Sequence, residues 1–384
     1  MSISARTHIL FVEHKDSFGG GQVFLLNLVE RLDGGQFACH VVSSLNPRLS
    51  AEMDQRGIDY SQISLGRIRK SGNPIIIAAN IFWRIVPTVR LYRCVKKYGI
   101  RLICANDVYS FLSCLAAARI ARLPILLIVH NISYPRSFFT SYIIKEASAI
   151  VAVSRSVKQH LIALEPGAEE KVRVICNGIE LPAYRTSESA LDVLRKSWNL
   201  PADHLLIGAV GRISKEKGLD YLIKAVPFVL KHHPSTRFVI LGEGPEEMHL
   251  KQMCRELDVT ETVIFAGFQK HVRDALRLVD IFVMPSLAEG MPLALLEAMS
   301  MEKPIVAAAV GGVLEILSHN ETGLLISPAD SEELTRAIVS LIENPEERKR
   351  LGHNARELVV KSFTSERMVG EYVDVLRSML GNHQ

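Results

Sequence analysis

Short runs of consecutive apolar residues alternate with longer amphipathic stretches, and the alternation occurs twice in series along this chain. This pattern constrains the fold most. A strand that is apolar on both faces must be covered on both faces, which is the condition of a parallel sheet flanked by helices. In the first series His8–Glu13, Phe37–Ser43, Leu102–Ala105, Pro124–His130, Ile150–Val153 and Val172–Cys176 read as strands. Helical stretches lie between them, among them Gln22–Leu32 and Ile75–Tyr98. In the second series Leu205–Val210, Phe238–Gly242, Val263–Ala266, Ile281–Pro285, Ile305–Ala308 and Gly323–Ile326 are the strands. Leu219–His232, Pro245–Leu257, Ser331–Leu341 and Pro345–Lys361 are helical. The βαβ rhythm predicts an α/β protein with two Rossmann-like domains. A length of 384 residues agrees, being too great for one ordinary core. Periodicity fades over Glu180–Ser189, so the domains are expected at 1–183 and 205–362, with 184–204 as the linker.

Composition removes several classes. With 48% hydrophobic and 22% charged residues the chain is globular. Six scattered cysteines without a C-x-x-C pair fit a reduced cytoplasm and provide no metal or disulfide framework. Met1–Thr7 is polar and runs straight into a strand, unlike a signal peptide, and no apolar run has the length of a spanning helix. Residues 1–183 carry 22 Lys+Arg against 13 Asp+Glu, a net of +9, and the remainder nets −5. The basic half suits an anionic lipid surface or a phosphorylated acceptor, though a solvated basic face reads equally well. The candidates are Arg67, Arg69, Lys70 and the stretch Arg90–Lys97. No basic motif points to nucleic acid.

The most chemical segment is Glu289-Gly290-Met291-Pro292-Leu293-Ala294-Leu295-Leu296-Glu297-Ala298. It follows an apolar strand, so Glu289 falls on the loop at the strand's C-terminal end and Glu297 in the next helix. Ligands of open parallel sheets bind at that edge, and anions favour helix starts. Upstream, Gly211-Arg212-Ile213-Ser214-Lys215-Glu216-Lys217-Gly218 also leaves a strand and opens a helix. Arg212 offers a planar fork and Lys217 a movable point charge, together able to neutralise a diphosphate; alone they would be a solvated basic loop. Gly19-Gly20-Gly21-Gln22 after the first strand, and Gly311-Gly312-Val313-Leu314-Glu315 after Ile305–Ala309, invite a ligand against the backbone or positive φ. Glu315 could equally be a helix N-terminal acid. His130 ends a strand at the same edge of the first domain, where a lone His is more often a packing residue. No D-x-D, H-x-x-x-H, G-x-S-x-G or G-x-x-x-x-G-K-[ST] occurs, so the metal-site, hydrolase and P-loop readings lose their main signals.

Taken in order and spacing, these elements resemble the retaining glycosyltransferases of family 4. They are G-R-x-x-x-x-K-G at 211–218, E-G-x-P-x-x-x-x-E-A at 289–298 and G-G-x-x-E at 311–315. Gln22 stands where that family usually has Glu. The resemblance implies the GT-B fold, two Rossmann-like domains facing each other across a cleft, with the last helix, 365–380, packing back on the first. It implies a nucleotide-sugar donor in the second domain and a saccharide or lipid-linked acceptor in the first. Arg212 and Lys217 would bind the diphosphate, Glu289 the sugar hydroxyls, and Glu297 the ribose. Gly290, Met291, Pro292, Leu293, Gly311, Gly312 and Glu315 would lie at the donor, as would Gly20, Gly21 and His130. Asn177-Gly178-Ile179 matches a family turn, and Gly323 and Asp330 are weaker matches. No cofactor or divalent metal is expected, and the protein is expected in the cytoplasm or peripherally at the inner membrane face. A sugar-nucleotide epimerase of the same fold and a non-catalytic nucleotide-sugar sensor are the alternatives.

Overall fold

The computed structural model describes residues 6–66, 74–132, 138–181 and 188–381. The chain divides into two compact units, residues 1–176 with 365–384, and residues 177–364.

Unit 1 is built on seven parallel strands: β1 (Thr7–Glu13), β2 (Phe37–Ser43), β3 (Tyr60–Gln62), β4 (Leu102–Ala105), β5 (Ile125–Val129), β6 (Ala149–Ala152) and β7 (Val172–Val174). Their order is β3-β2-β1-β4-β5-β6-β7, so the winding reverses between β1 and β4. Ile9–Val12 of β1 and Ile125–Val129 of β5 are buried throughout, as strands covered on both faces require. The helix Ser365–Gly381 belongs to this unit and packs on the helix Gly20–Leu32. Its Met368, Tyr372 and Leu376 are fully buried, and the Tyr372 ring lies 5.7 Å from that of Phe24. Burial of side chains this size contributes roughly 1.5–3 kcal/mol each.

Unit 2 has six parallel strands: β8 (Leu205–Val210), β9 (Thr236–Leu241), β10 (Val263–Gly267), β11 (Ile281–Met284), β12 (Ile305–Ala308) and β13 (Leu324–Ile326). Their order, β10-β9-β8-β11-β12-β13, reverses between β8 and β11. One core of Ile207, Ile223, Phe238, Val283, Ile338 and Leu341 fills one side of the sheet.

Two expectations shift. The stretch set aside as linker, 184–204, contains the helix Glu188–Ser197, and Leu191, Trp198 and Leu200 pack with Leu206, Val239 and Leu278. These residues are part of unit 2, whose boundary falls at Cys176/Asn177 rather than at residue 183. The short β3 and the helix Pro47–Gln55 have no long apolar run and escape a reading based on periodicity. Part of the expected linker, 182–187, and the basic residues Arg67, Arg69 and Lys70 lie outside the described residues.

Candidate active site

In each unit the residues of interest sit at the C-terminal ends of strands at or next to the winding reversal, where open α/β sheets bind ligands.

In unit 2, β8 ends in Val210 and the chain turns through Gly211 and Arg212 into a 3-10 turn at Lys215–Lys217. Gly218 follows with φ +59, and an added Cβ would stand 2.2 Å from the Pro285 carbonyl oxygen. Only glycine can let the β8 and β11 loops approach so closely. Lys217 is thereby brought to Glu289, its Nζ donating to Oε1 at 2.6 Å. Ser286 Oγ donates to the same oxygen at 2.7 Å. Glu289 is only 7% exposed, so its charge is held by these two donors rather than by water. Arg212 is exposed beside them. Gly211, Arg212, Lys217, Met284, Pro285 and Ser286 line a shallow, solvent-open recess.

Gly290, Met291 and Pro292 are buried; Pro292 is the N-cap, and Leu293 begins the helix that runs to Ser300. Asn177 Nδ2 donates to the Met291 carbonyl at 2.8 Å, tying the start of unit 2 to this loop. Glu297 lies one turn into the helix. Burial pushes its carboxyl up to about 7, opposed by the charge of Arg273.

The second glycine pair has a structural role. A Cβ on Gly311, whose φ is +45, would meet the Glu289 carbonyl oxygen at 2.0 Å, and one on Gly312 would meet that of Gly290 at 1.7 Å. The Gly312 N–H donates to the Glu289 carbonyl at 3.1 Å. Gly311 and Gly312 are therefore filled by protein backbone and buttress the loop that carries Glu289. Glu315 is the last residue of a five-residue 3-10 turn, so it is not a helix N-terminal acid.

In unit 1, Gly20 and Gly21 are the first residues of the helix Gly20–Leu32, and neither has positive φ. What they provide is room, since a Cβ on Gly20 would meet nothing within 4 Å. Gly21 faces His130, whose Cδ2 lies 3.9 Å from the position of that Cβ. His130, just past β5, is half-buried with its ring edge-on to Phe24 at 4.8 Å. Burial, then the charge of Lys15, lowers its pKa to about 4, so the ring is neutral. His130 Nε2 meets Asn106 Oδ1 at 3.0 Å, and Asn106 reaches Glu13. Glu13, Asn106 and Ser286 gave no signal in sequence beyond their places at strand ends, because their burial is tertiary.

Among the described residues no group of three or more His, Cys, Asp or Glu could hold a metal ion, and no helix is long and apolar enough to cross a membrane.

Residues 18–182 match the family model for Glycosyltransferase Family 4, and residues 192–358 that for Glycosyl transferases group 1. The chain belongs to the glycosyltransferase family that these two models describe. An uncharacterized glycosyltransferase of Methanocaldococcus jannaschii is 29% identical over 237 residues, 60% of this chain and 60% of that one. The lipopolysaccharide core biosynthesis mannosyltransferase LpcC of Rhizobium leguminosarum bv. viciae is 28% identical over 271 residues, 69% of this chain and 74% of that one. Among solved structures, Anabaena HepE in complex with UDP and glucose superposes with a TM-score of 0.85 at 24% identity, over 97% of this chain and 100% of that one. The expected fold class, two Rossmann-like parallel-sheet domains of the GT-B type, is what the chain has.

Proposed function

We propose that this protein moves a sugar from a nucleotide-sugar donor to a saccharide or lipid-linked saccharide acceptor, with retention of configuration and without a divalent metal. The observation that carries this reading is that Arg212 and Lys217 line one recess at the winding reversal of unit 2, with Lys217 paired there to Glu289. Arg212 and Lys217 would take the diphosphate, and Glu297 the ribose hydroxyls. A phosphate reaching Lys217 competes with Glu289 for its ammonium, and Glu289, released, turns to hydroxyls of the sugar.

In the transfer the anomeric carbon–oxygen bond to the diphosphate breaks and a bond forms from the same face to an acceptor hydroxyl oxygen. That hydroxyl's proton passes to the departing diphosphate. The two cations stabilise charge as it develops on the leaving group, the largest single contribution expected at such a site. They occupy the place a divalent ion would otherwise take.

The acceptor is assigned to unit 1, and the open space above Gly20 is left for the donor. The basic stretch Arg90–Lys97 on the helix Pro74–Tyr98 favours peripheral contact with an anionic membrane that carries a lipid-linked acceptor. UDP-sugars come first among donors because HepE was crystallised with UDP.

A panel of UDP-, GDP- and ADP-sugars, screened by thermal shift and then by release of free nucleotide with EDTA present, tests the reading. Turnover of one donor that survives chelation supports it. Loss of turnover on chelation refutes metal independence, and a panel that neither binds nor turns over refutes the activity.

A further inference from the structure

Glu13 is a carboxylate only 1% exposed at the end of β1, and nothing proposed so far uses it. Its two oxygens are both occupied by donors. Oε1 accepts from the Lys15 backbone N–H at 2.8 Å, and Oε2 from Asn106 Nδ2 at 2.5 Å. Asn106, itself 1% exposed at the end of β4, gives its second amide hydrogen to the Gly21 carbonyl at 3.1 Å. A carbonyl cannot donate, so the contact with Gly21 fixes the amide whatever the charge on Glu13. The Asn106 amide is therefore oriented with its nitrogen toward Glu13 and Gly21. Its Oδ1 is left to face His130 Nε2 at 3.0 Å. An acceptor at that position requires the hydrogen on Nε2, and in a neutral ring this leaves the lone pair on Nδ1.

The geometry points to Glu13 and Asn106 as positioning residues that hold His130 with its proton on Nε2, so that Nδ1 is offered as an acceptor to a hydroxyl of the bound saccharide. A ring held this way can accept from a sugar hydroxyl and cannot donate from Nδ1 to a phosphate oxygen. The inference rests on the glycosyltransfer reading for the identity of the ligand, while the tautomer stands on the contacts alone.

The surroundings keep the arrangement in place. Asp107 caps the helix Val108–Ala121 by accepting from the Ser110 N–H at 2.6 Å, which fixes the turn that carries Asn106. Phe24, backed by Tyr372, sets the ring plane of His130. Lys15 lies 3.4 Å from Asp107, and both charges flank the chain of contacts. Burial and the charge of Asp107 raise Glu13 to about 7, while the hydrogen bonds from Asn106 and Lys15 pull it down. A glutamine at position 13 would set an NH2 group against one of two donors, so only a carboxylate satisfies both.

Long-range proton–nitrogen correlation spectroscopy of the full-length chain reads the tautomer, with His130→Gln identifying the resonances. The wild-type ring is expected to show a protonated Nε2 and a bare Nδ1 from about pH 6 to 8. In Asn106→Leu the ring is expected to become a mixture of tautomers. Turnover should then fall by about tenfold or more, the scale of a misplaced catalytic group, while nucleotide affinity stays within about twofold. Glu13→Gln should change in the same direction. A wild-type proton on Nδ1, or unchanged turnover in Asn106→Leu, overturns the inference. The tautomer is read without substrate, so a chain that turns over no nucleotide sugar refutes the activity alone, and a proton on Nδ1 refutes this inference alone.

Discussion

Lys217 and Glu289 lie 72 residues apart in sequence and share a 2.6 Å ion pair at the winding reversal of unit 2. The pair stores each partner in a defined place before any ligand arrives. It also means that neither can be replaced without stranding the other in a poorly solvated position.

Lys217→Ala is expected to slow transfer by about 10²–10³-fold, the usual cost of deleting one electrostatic group aimed at developing charge. Nucleotide binding, retained through Arg212, should weaken far less. Single-turnover kinetics alongside calorimetric titration separate the two effects, and unchanged transfer would remove Lys217 from the chemistry.

The two glycine pairs should respond oppositely to alanine. Gly312→Ala drives a methyl to 1.7 Å from the Gly290 carbonyl oxygen, so the Glu289 loop must move. A loss of at least about 1–3 kcal/mol is expected, with activity falling as well. Gly20→Ala meets no protein atom and should leave stability unchanged or raise it by about 0.4–1 kcal/mol, because it restricts only the unfolded chain. If the space above Gly20 receives ligand, its activity nevertheless falls. Urea melts paired with rate assays decide both.

Glu297→Gln should exchange function for stability in a pH-dependent way. The folded carboxyl titrates at about 7 against an ordinary 4.5, so the folded state binds the proton more tightly. The Glu297 contribution to folding stability is therefore lost as pH rises from 4.5 through 7, and the glutamine variant lacks that loss while keeping the one from Glu13. Near pH 8 the variant should melt higher than wild type, and near pH 4 the two should converge. Thermal melts across that range check the sign, and nucleotide affinity should fall at every pH.

Leu376→Ala, on the last helix, should cost unit 1 about 2–5 kcal/mol. Hydrogen exchange should quicken in the helix Gly20–Leu32 and stay unchanged in the unit 2 helix Leu219–His232. Equal loosening in both would contradict the assignment of residues 365–384 to unit 1.

The legible parts of the sequence were those whose structure is local. Leu205–Val210 and Ile125–Val129 announce buried parallel strands because nearly every residue in them must be covered. Arg212, Lys217, Glu289 and Glu297 were legible because their spacing against those strands fixes the sheet edge they occupy. Gly311 and Gly312 announce close approach, but a glycine does not say whether a ligand or another loop fills the space, and here the Glu289 loop fills the Cβ side. Glu13 and Asn106 were invisible for a related reason. They meet across 93 residues, and a single acid or amide at a strand end resembles any solvated one. Glu188–Ser197 read as linker since its polar face outweighs the few residues, Leu191 and Trp198 among them, that anchor it.

The return of the last helix to the first unit sets an order of manufacture. The ribosome must synthesise the 188 residues from 177 to 364 before the segment that covers Phe24 emerges. At about 5–20 residues per second that is a delay of roughly 10–40 s. Unit 2, though begun second, can be finished first. A nascent chain halted before residue 365 would leave a bare apolar groove as a natural landing place for chaperones.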